Sequence, residues 1–116
     1  MSRRARQRQI LAIIATDSTF ERVAFRGQDA WQGSCIHCQR RLLVAASGEP
    51  IGPATIEHIV ARHRGGGDDP MNLALACARC NNQKGYRLDD RRADDPVLTR
   101  VVATLLERRR ARWRDP

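Results

Sequence analysis

Two Cys-x-x-Cys pairs constrain this chain more than any other feature. They are Cys35-Ile36-His37-Cys38 and Cys77-Ala78-Arg79-Cys80, and residues 39–76 lie between them. Two such knuckles present four thiolates tetrahedrally, the arrangement that zinc prefers, and a closed four-sulfur shell leaves no open position for chemistry on that ion. The spacing predicts a structural zinc on Cys35, Cys38, Cys77 and Cys80 that joins distant parts of the chain. His37 lies inside the first knuckle and is read as a bystander, because four sulfurs already complete the shell. A redox dithiol or a pair of disulfides are the competing readings of the same cysteines.

A staple suits the remaining composition. A chain of 116 residues gives one small domain, and its only aromatic residues are Phe20, Phe25, Trp31, Tyr86 and Trp113, so the core is thin. The chain carries 21 Lys+Arg against 13 Asp+Glu, for a formal net charge of +8. Four thiolates on a divalent ion would lower that to about +6. An excess of this size points to a polyanionic partner, and the scarcity of aromatics argues against a base-stacking single-strand platform. No apolar run approaches the roughly 18–20 residues that span a bilayer. The run Ile10 to Ala15 is shorter than the roughly 7–15 residues of a signal-peptide core and is followed by Asp17 and Glu21, so it reads as helix. The expected location is the cytoplasm, where disulfides seldom persist. Gly65-Gly66-Gly67 has no Gly-Lys-Ser/Thr after it, which leaves a phosphate-cradling P-loop unsupported.

The pattern predicts a helix over residues 3–15 and a capping box, Ser18-Thr19-Phe20-Glu21, opening a second short helix that stops at Gly27. Leu42-Leu43-Val44 and residues 55–60 read as strands, and Leu73-Ala74-Leu75 as a brief further one. A helix is expected over 78–88. Asp95-Pro96 starts another, with Val97, Leu98, Val101, Val102, Leu105 and Leu106 on one stripe and a basic end at Arg108, Arg109, Arg110, Arg112 and Arg114. The expected organisation is a single domain over 1–116: a helical extension at 1–34, a zinc-bound core at 35–88 and a basic helix at 95–114.

Between the knuckles, Glu57 and His58 sit near the end of a predicted strand, and Asn81 directly follows Cys80. If that strand packs on helix 78–88, a carboxylate, an imidazole and an amide oxygen come together. A hard cation such as Mg²⁺ or Mn²⁺ takes carboxylate and carbonyl oxygens, and a neutral imidazole beside it can accept a proton from water near pH 7. Those parts suit phosphodiester hydrolysis.

The segment Thr55-Ile56-Glu57-His58-Ile59-Val60, the loop Arg64-Gly65-Gly66-Gly67-Asp68, and the run from Asn72 through Cys77-Ala78-Arg79-Cys80-Asn81-Asn82-Gln83-Lys84-Gly85 resemble the HNH endonuclease family. The resemblance implies an α+β fold: a zinc-stapled ββα-metal core with flanking N- and C-terminal helices. It implies metal-dependent cleavage of DNA to 5′-phosphate and 3′-hydroxyl ends. His58 would be the general base, and Glu57 and Asn81 the ligands of a catalytic Mg²⁺ or Mn²⁺. Asn72 would hold the loop so that His58 is aimed. Lys84 would face the phosphate backbone, with Arg62 and Arg64 also contacting nucleic acid, and arginines of both terminal helices would hold the duplex through its phosphates. Ala61 stands where many members have proline, and His63 where a small hydroxyl residue is common; His63 is read as a solvated loop residue. A non-catalytic zinc-ribbon module that binds DNA or another partner is the rival reading.

Overall fold

The computed structural model describes residues 1–116. Its elements, in chain order, are helix α1 (Arg3–Ala15), strands β1 (Glu21–Phe25), β2 (Gln28–Ser34), β3 (Arg41–Ala45), β4 (Pro50–Ile51), β5 (Ala54–His58) and β6 (Leu73–Cys77), then helices α2 (Ala78–Arg87) and α3 (Pro96–Ala111). Short 3₁₀ turns at Arg62–Arg64 and Pro70–Asn72 punctuate the long loop between β5 and β6. The class is α+β. The first four strands form an antiparallel meander, and β5 and β6 form a separate antiparallel pair. No helix is long and apolar enough to cross a membrane.

Strand β6 is the centre of the core. All five of its residues, Leu-Ala-Leu-Ala-Cys, are buried, which is why it reads as a continuous apolar run without alternation. Helix α1 lays Ile10, Ile13 and Ile14 into the same cluster, which Phe20, Leu42, Val44, Ile59 and Leu105 complete. Each terminal helix starts where a cap is available. Ser2 accepts from the Ala5 N–H, and Asp95 accepts from the Val97 and Leu98 N–H groups with Pro96 in the first turn. On α3, Leu98 and Leu105 are buried, whereas Val97 is 44% exposed and lies outside the stripe.

The expected second helix over residues 18–26 is a β-hairpin instead. Asp17 Oδ1 accepts from both the backbone N–H and the hydroxyl of Thr19, at 2.9 and 2.7 Å. That local turn takes the place of a capping box and leads the chain out extended. Arg26 and Gly27 both have positive φ, 50° and 76°, the two-residue turn whose twist matches paired strands. Residues 1–34 are therefore a helix followed by a hairpin.

The basic end of α3 is also corrected. Arg109 is fully buried and donates to Leu73 O at 2.7 Å, Thr16 O at 2.9 Å and Pro70 O at 3.2 Å, beneath the Trp113 ring. Arg112 donates to Ser34 O and Cys35 O, Arg108 to Ile36 O and His37 O, and Arg114 to Ile14 O. These side chains bind α3 to the first knuckle and to the end of α1. Arg108 and Arg110 are exposed, and of the five Arg110 alone donates to nothing in the chain. Replacing Arg109 with leucine strands several buried carbonyls at once, so Arg109→Leu is expected to cost about 3–5 kcal/mol in urea unfolding. A change below about 1 kcal/mol would contradict this bracing role.

Candidate active site and metal centre

Cys35 and Cys38 sit on the turn between β2 and β3, Cys77 ends β6, and Cys80 lies in the first turn of α2. Their four sulfurs lie within 4.8 Å of one another, with Cys38 Sγ and Cys77 Sγ 4.0 Å apart. A tetrahedron of sulfurs around zinc has edges of about 3.8 Å, whereas a disulfide needs about 2.05 Å. One fourfold cluster, in place of two separate dithiols, fits a metal. Backbone N–H groups of His37 and Cys77 point at Cys35 Sγ, and that of Cys80 at Cys77 Sγ, donors that favour thiolates. Burial pushes the Cys77 thiol up, but the Cys80 N–H and neighbouring thiols outweigh it and bring it to about 7. Burial and the adjacent thiols push Cys80 up. A bound divalent ion would take all four as thiolates.

Strand β5 pairs with β6 so that Glu57 faces Ala74 and His58 faces Leu73 in register. Consecutive strand residues point to opposite sides, and these two diverge. Glu57 is 1% exposed and turned toward the first knuckle, where His37 Nε2 lies 2.7 Å from its Oε1 and 2.6 Å from its Oε2. One ring N–H serves one oxygen, and Oε2 is left buried without a hydrogen bond. His37 stays outside the sulfur cluster, as expected, and serves instead as the partner of Glu57. Asn81 donates through Nδ2 to Thr55 Oγ1 and Ile56 O, which leaves its Oδ1 without a hydrogen-bond partner. Two unpartnered oxygens, a carboxylate and an amide, on adjoining elements suit a hard cation. The three side chains hold three separate sets of partners, and His58 lies on the opposite side of β5 from Glu57.

His58 turns the other way. Its Nε2 lies 2.8 Å from Asp68 Oδ1 and 3.1 Å from Arg62 Nε, and its Nδ1 has no partner. The bond to His58, with the Arg62 charge behind it, holds the Asp68 carboxyl below the usual carboxylate range. His58 lines a cleft of about 350 Å³ with Thr55 and Ile56 of β5 and with Arg6 and Gln9 of α1.

The loop that carries Asp68 is pinned on both sides. Asn72 Oδ1 accepts from the Val60 N–H at 2.8 Å, while its Nδ2 donates to Val60 O and Gly67 O. Two of the three glycines are required here. Gly65 has φ +89°, and a Cβ on Gly66 would lie 1.7 Å from Val60 O. Lys84 does not face outward. It is 3% exposed, with its ammonium on the Asp89 carboxylate and on His58 O. Arg64 and His63 both reach Asp89 O; Arg64 is partly buried there, whereas His63 is an exposed loop residue, as expected. Arg62 keeps a largely exposed guanidinium beside His58.

Sequence reasoning missed Asp68, which was visible beside the glycines but had no assigned partner. It also missed Asp89, which gathers Lys84, His63 and Arg64, and the contact from His37 to Glu57. No curated protein and no solved structure matches the chain. Residues 35–87 match the HNH endonuclease family. That match spans both knuckles, the glycine loop and α2, a little under half of the chain.

Proposed function

We propose that the protein is a metal-dependent endonuclease that hydrolyses DNA phosphodiester bonds and leaves 5′-phosphate and 3′-hydroxyl ends. The observation that carries this reading is His58: within an HNH domain, its Nδ1 is unpartnered and its ring opens on a cleft that Arg6 also lines. His58 takes a proton from the attacking water as the new P–O bond forms and the bond to the 3′ oxygen breaks. General-base help of this kind contributes about 10²–10⁴-fold. Glu57 and Asn81 would hold the catalytic Mg²⁺ or Mn²⁺, which supplies Lewis-acid stabilisation of the charge developing on the phosphate, worth several kcal/mol. Asn72 fixes the loop beyond His58. Arg62, beside the imidazole, contacts the scissile phosphate. Arg4, Arg6 and Arg8 on α1 are exposed and take the phosphates of the flanking duplex, giving salt-sensitive affinity with little sequence preference. The four-cysteine site would hold zinc structurally.

The inward turn of Glu57 onto His37 favours one second reading, a DNA-binding module that does not cut. A plasmid-nicking assay separates the two. EDTA is expected to stop cleavage at once, and Mg²⁺ or Mn²⁺ alone to restore it while protein-bound zinc stays constant. Restoration by zinc only would overturn the division between a structural and a catalytic ion, and salt-sensitive binding without nicking at any metal would establish the non-catalytic module.

A further inference from the structure

We infer that Asp68 is a positioning residue that keeps the His58 ring proton on Nε2, leaving Nδ1 as the proton acceptor. This rests on the reading of His58 as general base.

Two groups compete for one nitrogen. Asp68 Oδ1 is an acceptor 2.8 Å from Nε2, and Arg62 Nε–H is a donor 3.1 Å from it. Only one of them is satisfied by a given tautomer. With the proton on Nε2, the ring donates to Asp68, and Arg62 is still served because its NH2 group donates to the same carboxylate at 3.3 Å. With the proton on Nδ1, Arg62 donates to Nε2, but the carboxylate oxygen faces a lone pair at 2.8 Å. The first state leaves only the Arg62 Nε–H without its acceptor, while the guanidinium stays on the carboxylate, and its ring-to-carboxylate bond is shorter and charge-assisted.

Other hydrogen bonds fix both ends of this contact. The His58 carbonyl is held by the ammonium of Lys84, itself 3% exposed. On the other side, Gly67 O is held by Asn72 and the Asp69 carboxylate by the Met71 N–H, so the backbone on each side of Asp68 is tied down. Gly66 packs directly against Val60 O, which sets how closely the loop returns to β5. The orientation of Asp68 is thus built into the loop, although its side chain is 55% exposed.

The competition also gives a test with a sign. Asp68→Ala leaves Arg62 as the only group on Nε2, so the proton should move to Nδ1. Adding Arg62→Ala removes that donor as well and should release the ring. The tautomer of His58 is read directly from the ¹⁵N shifts of its ring nitrogens by NMR, without substrate. Wild type is expected to be protonated at Nε2 and Asp68→Ala mainly at Nδ1. The kcat for nicking should fall about 10²–10⁴-fold with KM within a few-fold, the loss expected when a carboxylate no longer sets a tautomer. The double variant should regain Nε2 protonation, read by the same ¹⁵N shifts. Wild-type protein protonated at Nδ1, an unchanged tautomer in Asp68→Ala, or a double variant still protonated at Nδ1 would each overturn the inference, since a merely structural loop residue does not put the ring proton under the control of Arg62. If the tautomer shifts as expected but kcat does not follow, the positioning by Asp68 stands and the base assignment of His58 falls.

Discussion

His58→Ala is expected to lower the nicking rate by about 10²–10⁴-fold while leaving the fold, the sulfur cluster and DNA affinity close to wild type. The separation of effects follows from where each partner of His58 sits. Its backbone, not its ring, makes the register with Leu73 and accepts the Lys84 ammonium. The ring hydrogen-bonds only to Asp68 and Arg62, both more than half exposed, and these two already pair with each other. Truncation therefore strands no buried donor or acceptor, and loss of these screened polar contacts costs on the order of 1 kcal/mol. The phosphate contacts proposed above are made by arginines, so Kd at fixed salt should hold while kcat falls. Thermal melting, a filter-binding titration and a nicking time course on one preparation read all three. A fully active His58→Ala protein would move the proton acceptor to another residue. Glu57→Ala offers a contrast, because it removes a buried carboxylate from His37 and is expected to disturb stability as well as cleavage.

What the sequence made legible here is what short-range chemistry dictates. A knuckle is a local object: metal geometry fixes the spacing of Cys35 and Cys38, and again of Cys77 and Cys80, so the cluster is readable before any fold. The same holds for the starts of α1 and α3, where Ser2 and Asp95-Pro96 satisfy N–H groups two or three residues away. Strand β5 was readable from its β-branched residues, and β6 from an apolar run too short for a helix.

The hairpin of β1 and β2 was not readable for a physical reason. Ser18 and Glu21 fit a helix start, and Gly27 fits a helix stop as well as it fits a turn. What decides is the Asx turn at Asp17, together with Phe20 and Ala30 packing into the body of the protein. The arginine run failed differently. Composition reports how many guanidinium groups exist but not which way a long side chain points, and Arg109 and Arg112 lie inside because unpaired carbonyls of three distant segments meet there. The contacts of His37 with Glu57 and of His58 with Asp68 span 20 and 10 residues of sequence. They depend on strand facing and loop return, which residue types alone do not encode.

Cys77→Ser should lower the melting temperature by about 10 °C or more and abolish stoichiometric zinc. Cys77 does more than supply one sulfur. It is 1% exposed, its N–H points at Cys35 Sγ, its own sulfur accepts from the Cys80 N–H as the cap of α2, and its backbone closes the β5–β6 register opposite Ala54. A serine hydroxyl keeps part of the cap but does not become an anionic ligand near pH 7, so the metal loses one of four thiolates and the other three lose the charge that gathers them. Structural zinc contributes about 10–16 kcal/mol in small zinc-binding peptides, comparable with the whole net stability of about 5–15 kcal/mol of an ordinary domain. Forfeiting even a third of that shifts a domain of this size by 10 °C or more, at roughly 4 °C per kcal/mol. Calorimetry with metal analysis on the same sample measures both quantities, and prolonged treatment of wild type with a strong chelator should reproduce the variant's melting curve. An unchanged melting temperature would reject a structural metal, and a reversible two-electron thiol couple in zinc-free, fully folded protein would put a redox dithiol in its place.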